Sequence, residues 1–165
     1  MTIIKNITLI AIFSAILFVQ EQILSFLPNI QFTVFLIVLY SKVFGCGKTL
    51  IILLIHVILD NLIMSSFNIM YVPFMYIGWS IIPIIIHFLL KKSENPIILA
   101  LVGFICSFIY CWIFIIPNVF IYSYDPLAYF LNDIVWEIIL AVFSFLTILW
   151  LYKPCSKLLY KLQNK

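Results

Sequence analysis

Apolar residues run along the chain in six stretches, each closed by polar residues, Pro or Gly: roughly Ile3 to Leu24, Pro28 to Phe44, Thr49 to Met64, Met70 to Leu90, Pro96 to Ile121 and Pro126 to Leu151. Stretches of about 17 to 25 apolar residues predict helices that cross a bilayer. Pro28, Pro96 and Pro126 fall where helices would begin, a position in which the missing N–H costs nothing. Pro73, Pro83 and Pro117 lie inside spans, and each predicts a kink or an irregular turn. The second and third stretches are the shortest. No internal repeat, low-complexity segment or linker interrupts the pattern, so residues 1–165 read as a single transmembrane domain.

Composition turns this pattern into a class. Of the 165 residues 66% are hydrophobic and 9% charged, against about a quarter charged in soluble domains. Fifteen charges, counted as nine Lys and six Asp or Glu, cannot cover a water-exposed surface. The expected fold is therefore an all-α integral membrane bundle of about six helices. The run from Ile7 to Val19 after Lys5 has the look of a signal-peptide core, but Gln20-Glu21-Gln22 is no small-residue cleavage site, and a mature helix is expected.

The sign of the charges gives the orientation. With six spans, Lys5, Lys42, Lys48, Lys91, Lys92, Lys153, Lys157, Lys161 and Lys165 all fall on one side. The stretches on the other side, near Ser25 to Asn29, Ser65 to Asn68 and Tyr122 to Asp125, carry none. By the positive-inside rule the lysine side is cytoplasmic, which puts both termini inside a multi-pass protein of the cell membrane. The basic residues include no Arg and form no stripe suited to nucleic acid.

Polar residues within the spans gather in the outer half. Glu21, Gln31, Thr33, Asp60, Asn61, Asn118, Asn132, Asp133 and Glu137 belong to this group, with His56 near mid-membrane. A carboxylate in hydrocarbon costs at least ~2.5 kcal/mol, so Asp60, Asp133 and Glu137 should face the bundle interior or a wet cavity. Asp133 and Glu137 are four apart on one helical face, where two ionised acids repel unless one is protonated or a cation or donor-rich ligand lies between them. His56 and Asp60 share that spacing on the third helix and could pair with each other. Interior polar groups also simply join helices to each other, and that reading is preferred for His56, while His87 reads as interfacial and Glu94 as a solvated charge. The Trp and Tyr residues read as belt or packing groups. Trp136 is excepted because it adjoins Glu137 and offers a flat ligand a stacking face.

Other motifs carry little chemistry. Phe44-Gly45-Cys46-Gly47-Lys48-Thr49 contains the GKT tail of a phosphate loop, but Lys42 stands where the first glycine belongs and no strand precedes it. Cys46, Cys106, Cys111 and Cys155 show no paired spacing. No His/Cys metal cluster and no hydrolase motif is present. The chain is expected to be no enzyme and to hold no metal or cofactor.

Taken together, the pattern resembles the substrate-binding S components of energy-coupling-factor (ECF) vitamin transporters. Size and six-helix topology match along the whole chain. Ala11-Ile12-Phe13-Ser14-Ala15 supplies an AxxxA motif, and small residues allow close helix approach in lipid. The resemblance implies that Ala11, Ser14 and Ala15 dock on a transmembrane coupling subunit, with two ATPase subunits on separate chains. Leu27 to Thr33 looks like the loop and helix start that close the ligand site, and Asp60-Asn61 through Asn68, with Pro73, Gly78 and Trp79, looks like the family's third-to-fourth helix region. The implied site is outward-facing, with Gln31, Asp60, Asn61, Trp79, Asn118, Asn132, Asp133, Trp136 and Glu137 as candidate ligand contacts.

Charge narrows the ligand. An outer half with carboxylates, amides and aromatics but no Lys favours a neutral or cationic, partly aromatic molecule, such as a thiamine-like, pyridoxine-like, modified-base or corrinoid compound, over a polyanion. The alternative is a membrane scaffold of cell-wall or rod-shape assembly, which needs no polar cavity. A self-sufficient secondary transporter is less well matched, because the chain lacks paired internal repeats.

Overall fold

The structure, a computed structural model, describes residues 3–63 and 69–163. Among them it contains seven helices and no strand: α1 Ile3–Leu24, α2 Thr33–Val43, α3 Cys46–Ile63, α4 Tyr71–Leu89, α5 Pro96–Ile113, α6 Ile115–Phe120 and α7 Pro126–Gln163. The outer stretch Ser65 to Asn68 and the terminal Lys165 lie outside the described residues. Five segments are long and apolar enough to cross a membrane: α1, α3, α4, the run Pro96–Phe120 and α7. The chain is thus an all-α, multi-pass membrane protein by length and composition.

The stop and start signals have visible causes. Asn95 accepts from the N–H of Ile97 at 2.9 Å, with Pro96 at the first helical position. Asp125 accepts from the N–H of Ala128 at 2.8 Å ahead of α7, so Pro96 and Pro126 open helices as expected. Pro117 withholds the N–H that would bond the carbonyl of Ile113, and that residue ends α5. Pro73 falls in the first turn of α4, where its missing N–H interrupts nothing. Gly45 adopts φ +84 between α2 and α3, a conformation that favours glycine. Its carbonyl accepts from both the N–H and the Oγ1 of Thr49, at 3.2 and 3.0 Å. Gly45 and Thr49 of this segment are accounted for by the helix start.

The second span is corrected. It was expected to run from Pro28, yet α2 begins at Thr33 and has 11 residues, about 16 Å of rise against a hydrocarbon core of about 30 Å. Hydrophobicity in this stretch serves the protein interior instead: nine residues of α2, from Thr33 to Val43, are buried. Helices α1, α3, α4, α5 and α7 all pack around it. By contrast α1 buries only Ser14 and Leu17, leaving most of its surface uncovered.

Small side chains bring the other helices together. Gly103 of α5 lies directly against Ile148 of α7, and Ser107 donates to Ser144 across the same seam at 3.3 Å, as expected where no hydrophobic effect separates helix from lipid. Gly78 of α4 likewise admits the ring of Tyr110.

Lysines gather at one end. Lys42 Nζ donates to the carbonyls of Leu90 and Lys91, both at 3.0 Å, and lies 3.3 Å from Glu94. Tyr152 donates to Glu94, and Tyr160 donates to the carbonyl of Lys42. The α2–α3 turn, the α4–α5 turn and the end of α7 are therefore one surface, with the start of α1 beside Phe44 and Leu159.

Candidate functional site

At the opposite end the chain leaves α1 at Leu24 and turns back towards the bundle before α2 begins. The Gln20 side chain fixes this re-entry, accepting from the N–H of Phe32 at 2.9 Å and donating to Thr33 Oγ1 at 2.8 Å. Thr33 in turn donates to Gln31 at 3.0 Å. Since Gln20 stands four residues before the end of α1, α2 starts about 6 Å below that end. Non-helical backbone at such depth persists only where protein or a wet cavity satisfies it. A cavity is present: about 210 Å³, lined by Glu21, Ser25, Asn29, Gln31 and Asp60 together with apolar residues of the turn.

The two carboxylates come from different helices. Asp60 on α3 accepts from Gln22 Nε2 of α1 at 3.2 Å. His56, one turn below Asp60 and fully buried, places Nε2 3.1 Å from Glu21 Oε2. His56 thus meets Glu21 across helices, in keeping with a residue that joins one helix to another, and not Asp60 on its own helix. That pair is close but poorly aligned: neither atom has a hydrogen-bond partner, and His56 Nδ1 has none either. Glu21 and His56 both act on the charge of Asp60, so the three side chains form one electrostatic unit.

Two aromatic rings stack between α4 and α5, outside the cavity lining. Trp79 of α4, fully buried, stacks on Tyr110 of α5 with centroids 3.6 Å apart and planes at 15°. Tyr110 lies within electrostatic reach of Glu21, Asp60 and Tyr129, and the indole N–H of Trp79 has no acceptor. Asn61 is buried on α3, donating to the carbonyl of Val57 at 2.9 Å and approaching Met75 Sδ at 3.3 Å.

The remaining expected residues lie outside this cavity. Glu137 of α7 is buried and accepts from Trp112 Nε1 of α5 at 3.0 Å. Its other oxygen is unpartnered. The place beside Glu137 given in sequence to Trp136 thus belongs to Trp112, while Trp136 is 41% exposed. Asp133 is half-buried and Asn132 exposed. Asn118 accepts from Tyr71 at 2.8 Å and donates to the carbonyl of Phe114 at 2.7 Å, tying α6 to α4. Neither Asn118 nor Glu137 lines the cavity.

Sequence reasoning placed Glu21 near the outer end of α1 without assigning it a role, and took His56 and Tyr110 for packing groups. The flanking amides Gln20 and Gln22 were the available signal, since three consecutive polar side chains near a helix end exceed what a lipid-facing surface tolerates.

On α1, Ala11 and Ala15 are exposed, whereas Ser14 is buried and donates to the carbonyl of Ile52 on α3 at 3.4 Å. The three residues therefore divide between an outward face and an inward contact. Among the described residues no three His, Cys, Asp or Glu side chains are grouped to share a metal ion. No protein-family model, no curated protein and no solved structure matches this chain.

Proposed function

We propose that this chain is the substrate-binding membrane subunit of an ECF-type uptake system, with six passes through the cell membrane, the second made by α2 together with the turn that leads into it, and both termini in the cytoplasm. It takes a small cationic or donor-rich micronutrient from outside. A transmembrane coupling subunit and two ATPase subunits supply the energy. The observation that carries this reading is the cavity under the α1–α2 turn, where Glu21, Asp60 and Gln31 converge from three parts of the chain.

The lining argues for the ligand class. Two carboxylates with amides nearby and no Lys or Arg favour an ammonium, an aminopyrimidine or another donor-rich group. At about 210 Å³ the cavity is below the ~300 Å³ at which drug-sized sites begin, so a one- or two-ring molecule suits it and a corrinoid does not. A structural scaffold of cell-wall assembly, the alternative, gives no reason for carboxylates from α1 and α3 to meet over a cavity.

Native mass spectrometry of the purified protein, followed by thermal-shift titration with thiamine, pyridoxine and modified bases, tests the proposal. One of these cationic or neutral compounds should co-purify or stabilise, and the Glu21→Gln and Asp60→Asn variants should lose it. Tight binding of a polyanion, or unchanged binding in both variants, overturns it.

A further inference from the structure

At the lysine end, opposite the cavity, lies a groove of about 470 Å³ between the start of α1 and the end of α7. We infer that this groove is a binding site for an anionic phospholipid, whose headgroup rests on Lys5 and whose acyl chain lies between α1 and the end of α7. The inference does not rest on the uptake reading.

The chemistry of the lining divides in two. Leu9, Ile12 and Phe13 of α1, Phe44 after α2, and Leu159 and Leu162 of α7 make the walls apolar. Lys5, Thr8 and Gln163 are the polar residues that line it. An ammonium, a hydroxyl and an amide can all donate to phosphate oxygens, and no carboxylate lines the groove to repel an anion. Basic pockets between membrane helices hold anionic headgroups in this way.

The dimensions agree with one leaflet. From Lys5 to Phe13, the part of α1 that lines the groove, the helix rises about 12 Å, close to half of a hydrocarbon core of about 30 Å. Leu9, Ile12 and Phe13 on one side and Leu159 and Leu162 on the other give an acyl chain entering at Lys5 an apolar bed between the two helices.

The test uses the full chain, delipidated in detergent, with phosphatidylglycerol or phosphatidylcholine added and retention read by native mass spectrometry. Phosphatidylglycerol should be retained preferentially, and Lys5→Gln should weaken that retention about fivefold. Lys92→Gln, an equal charge loss at an exposed site at the same end, should leave it unchanged. Leu159→Trp should exclude the acyl chain, and Lys5→Gln keeps the test decisive if that variant does not fold. Equal retention of both lipids, or an equal effect of Lys5→Gln and Lys92→Gln, overturns the inference. So does a photo-crosslinker at position 162 that captures a protein instead of a lipid in cells.

Discussion

His56 Nε2 stands 3.1 Å from Glu21 Oε2, joining the middle of α3 to the last turn of α1. Because His56 is fully buried, and Glu21 is largely so, each is the polar neighbour that makes the other tolerable. His56→Leu leaves Glu21 without its imidazole and should lower unfolding stability by about 2 kcal/mol. The double variant His56→Leu with Glu21→Gln should recover at least half of that loss. Equilibrium unfolding in mixed micelles measures both; an additive double variant would contradict the coupling.

The acids separate by function. Glu21→Gln and Asp60→Asn alter the cavity lining and should weaken ligand binding at least about tenfold, the loss of one charge-assisted hydrogen bond. Glu137→Gln should leave affinity within about twofold, since Glu137 lies outside the cavity. Trp112→Phe instead removes the donor of a buried carboxylate and should cost about 1 to 3 kcal/mol of stability. Ligand titration and thermal unfolding of the four variants distinguish the two groups.

Close approach at Gly103 should be specific to one neighbour. A methyl added there meets the end of the Ile148 side chain, so Gly103→Ala should destabilise by about 1 to 3 kcal/mol. Ile148→Val in the same chain removes the colliding carbon and should restore most of the loss. Failure of this rescue would place the strain elsewhere in the α5–α7 seam.

Ala11 and Ser14 should respond oppositely to bulk. Ala11→Trp projects from an exposed position and should leave melting of the isolated chain unchanged while blocking assembly with a coupling subunit. Ser14→Trp, at a buried position against α3, should prevent folding. Unaltered co-purification of the coupling subunit with Ala11→Trp removes the docking role of this face.

Orientation is open to labelling. In a background without Cys46 and Cys155, Ser123→Cys should react with an impermeant maleimide on intact cells, and Lys92→Cys only after permeabilisation. Both positions are in turns at opposite ends of the bundle. The reverse order would invert the proposed topology and remove the outward-facing cavity.

Legibility from sequence followed the kind of force involved. The bounds of α1 and the starts of α5 and α7 were readable, because hydrophobic length and proline at the first helical turn act locally. The start of α2 was not, since an apolar run reads alike whether lipid or protein covers it. His56 and Asp60 share a face of α3 as their spacing implies, yet the partner of His56 is on another helix, which periodicity cannot show. Trp136 was chosen for its adjacency to Glu137, but consecutive residues on a helix point about 100° apart. The indole that meets Glu137 comes from α5. Cavity lining from the α1–α2 turn was foreshadowed in Gln31 and Asp60, and its completion by Glu21 depended on how α1 and α3 pack.

With 38 residues, α7 is about 57 Å long, nearly twice the thickness of a hydrocarbon core. The excess is not free: past Pro154 the last turns pack against the bundle, where Ser156 is buried, Leu159 meets the core and Tyr160 donates to the carbonyl of Lys42. Lys153, Lys157 and Lys161 are thereby carried on a turn of helix tied to α2, so a probe at Lys161 would report any slip of α7 against the helix at the centre of the bundle.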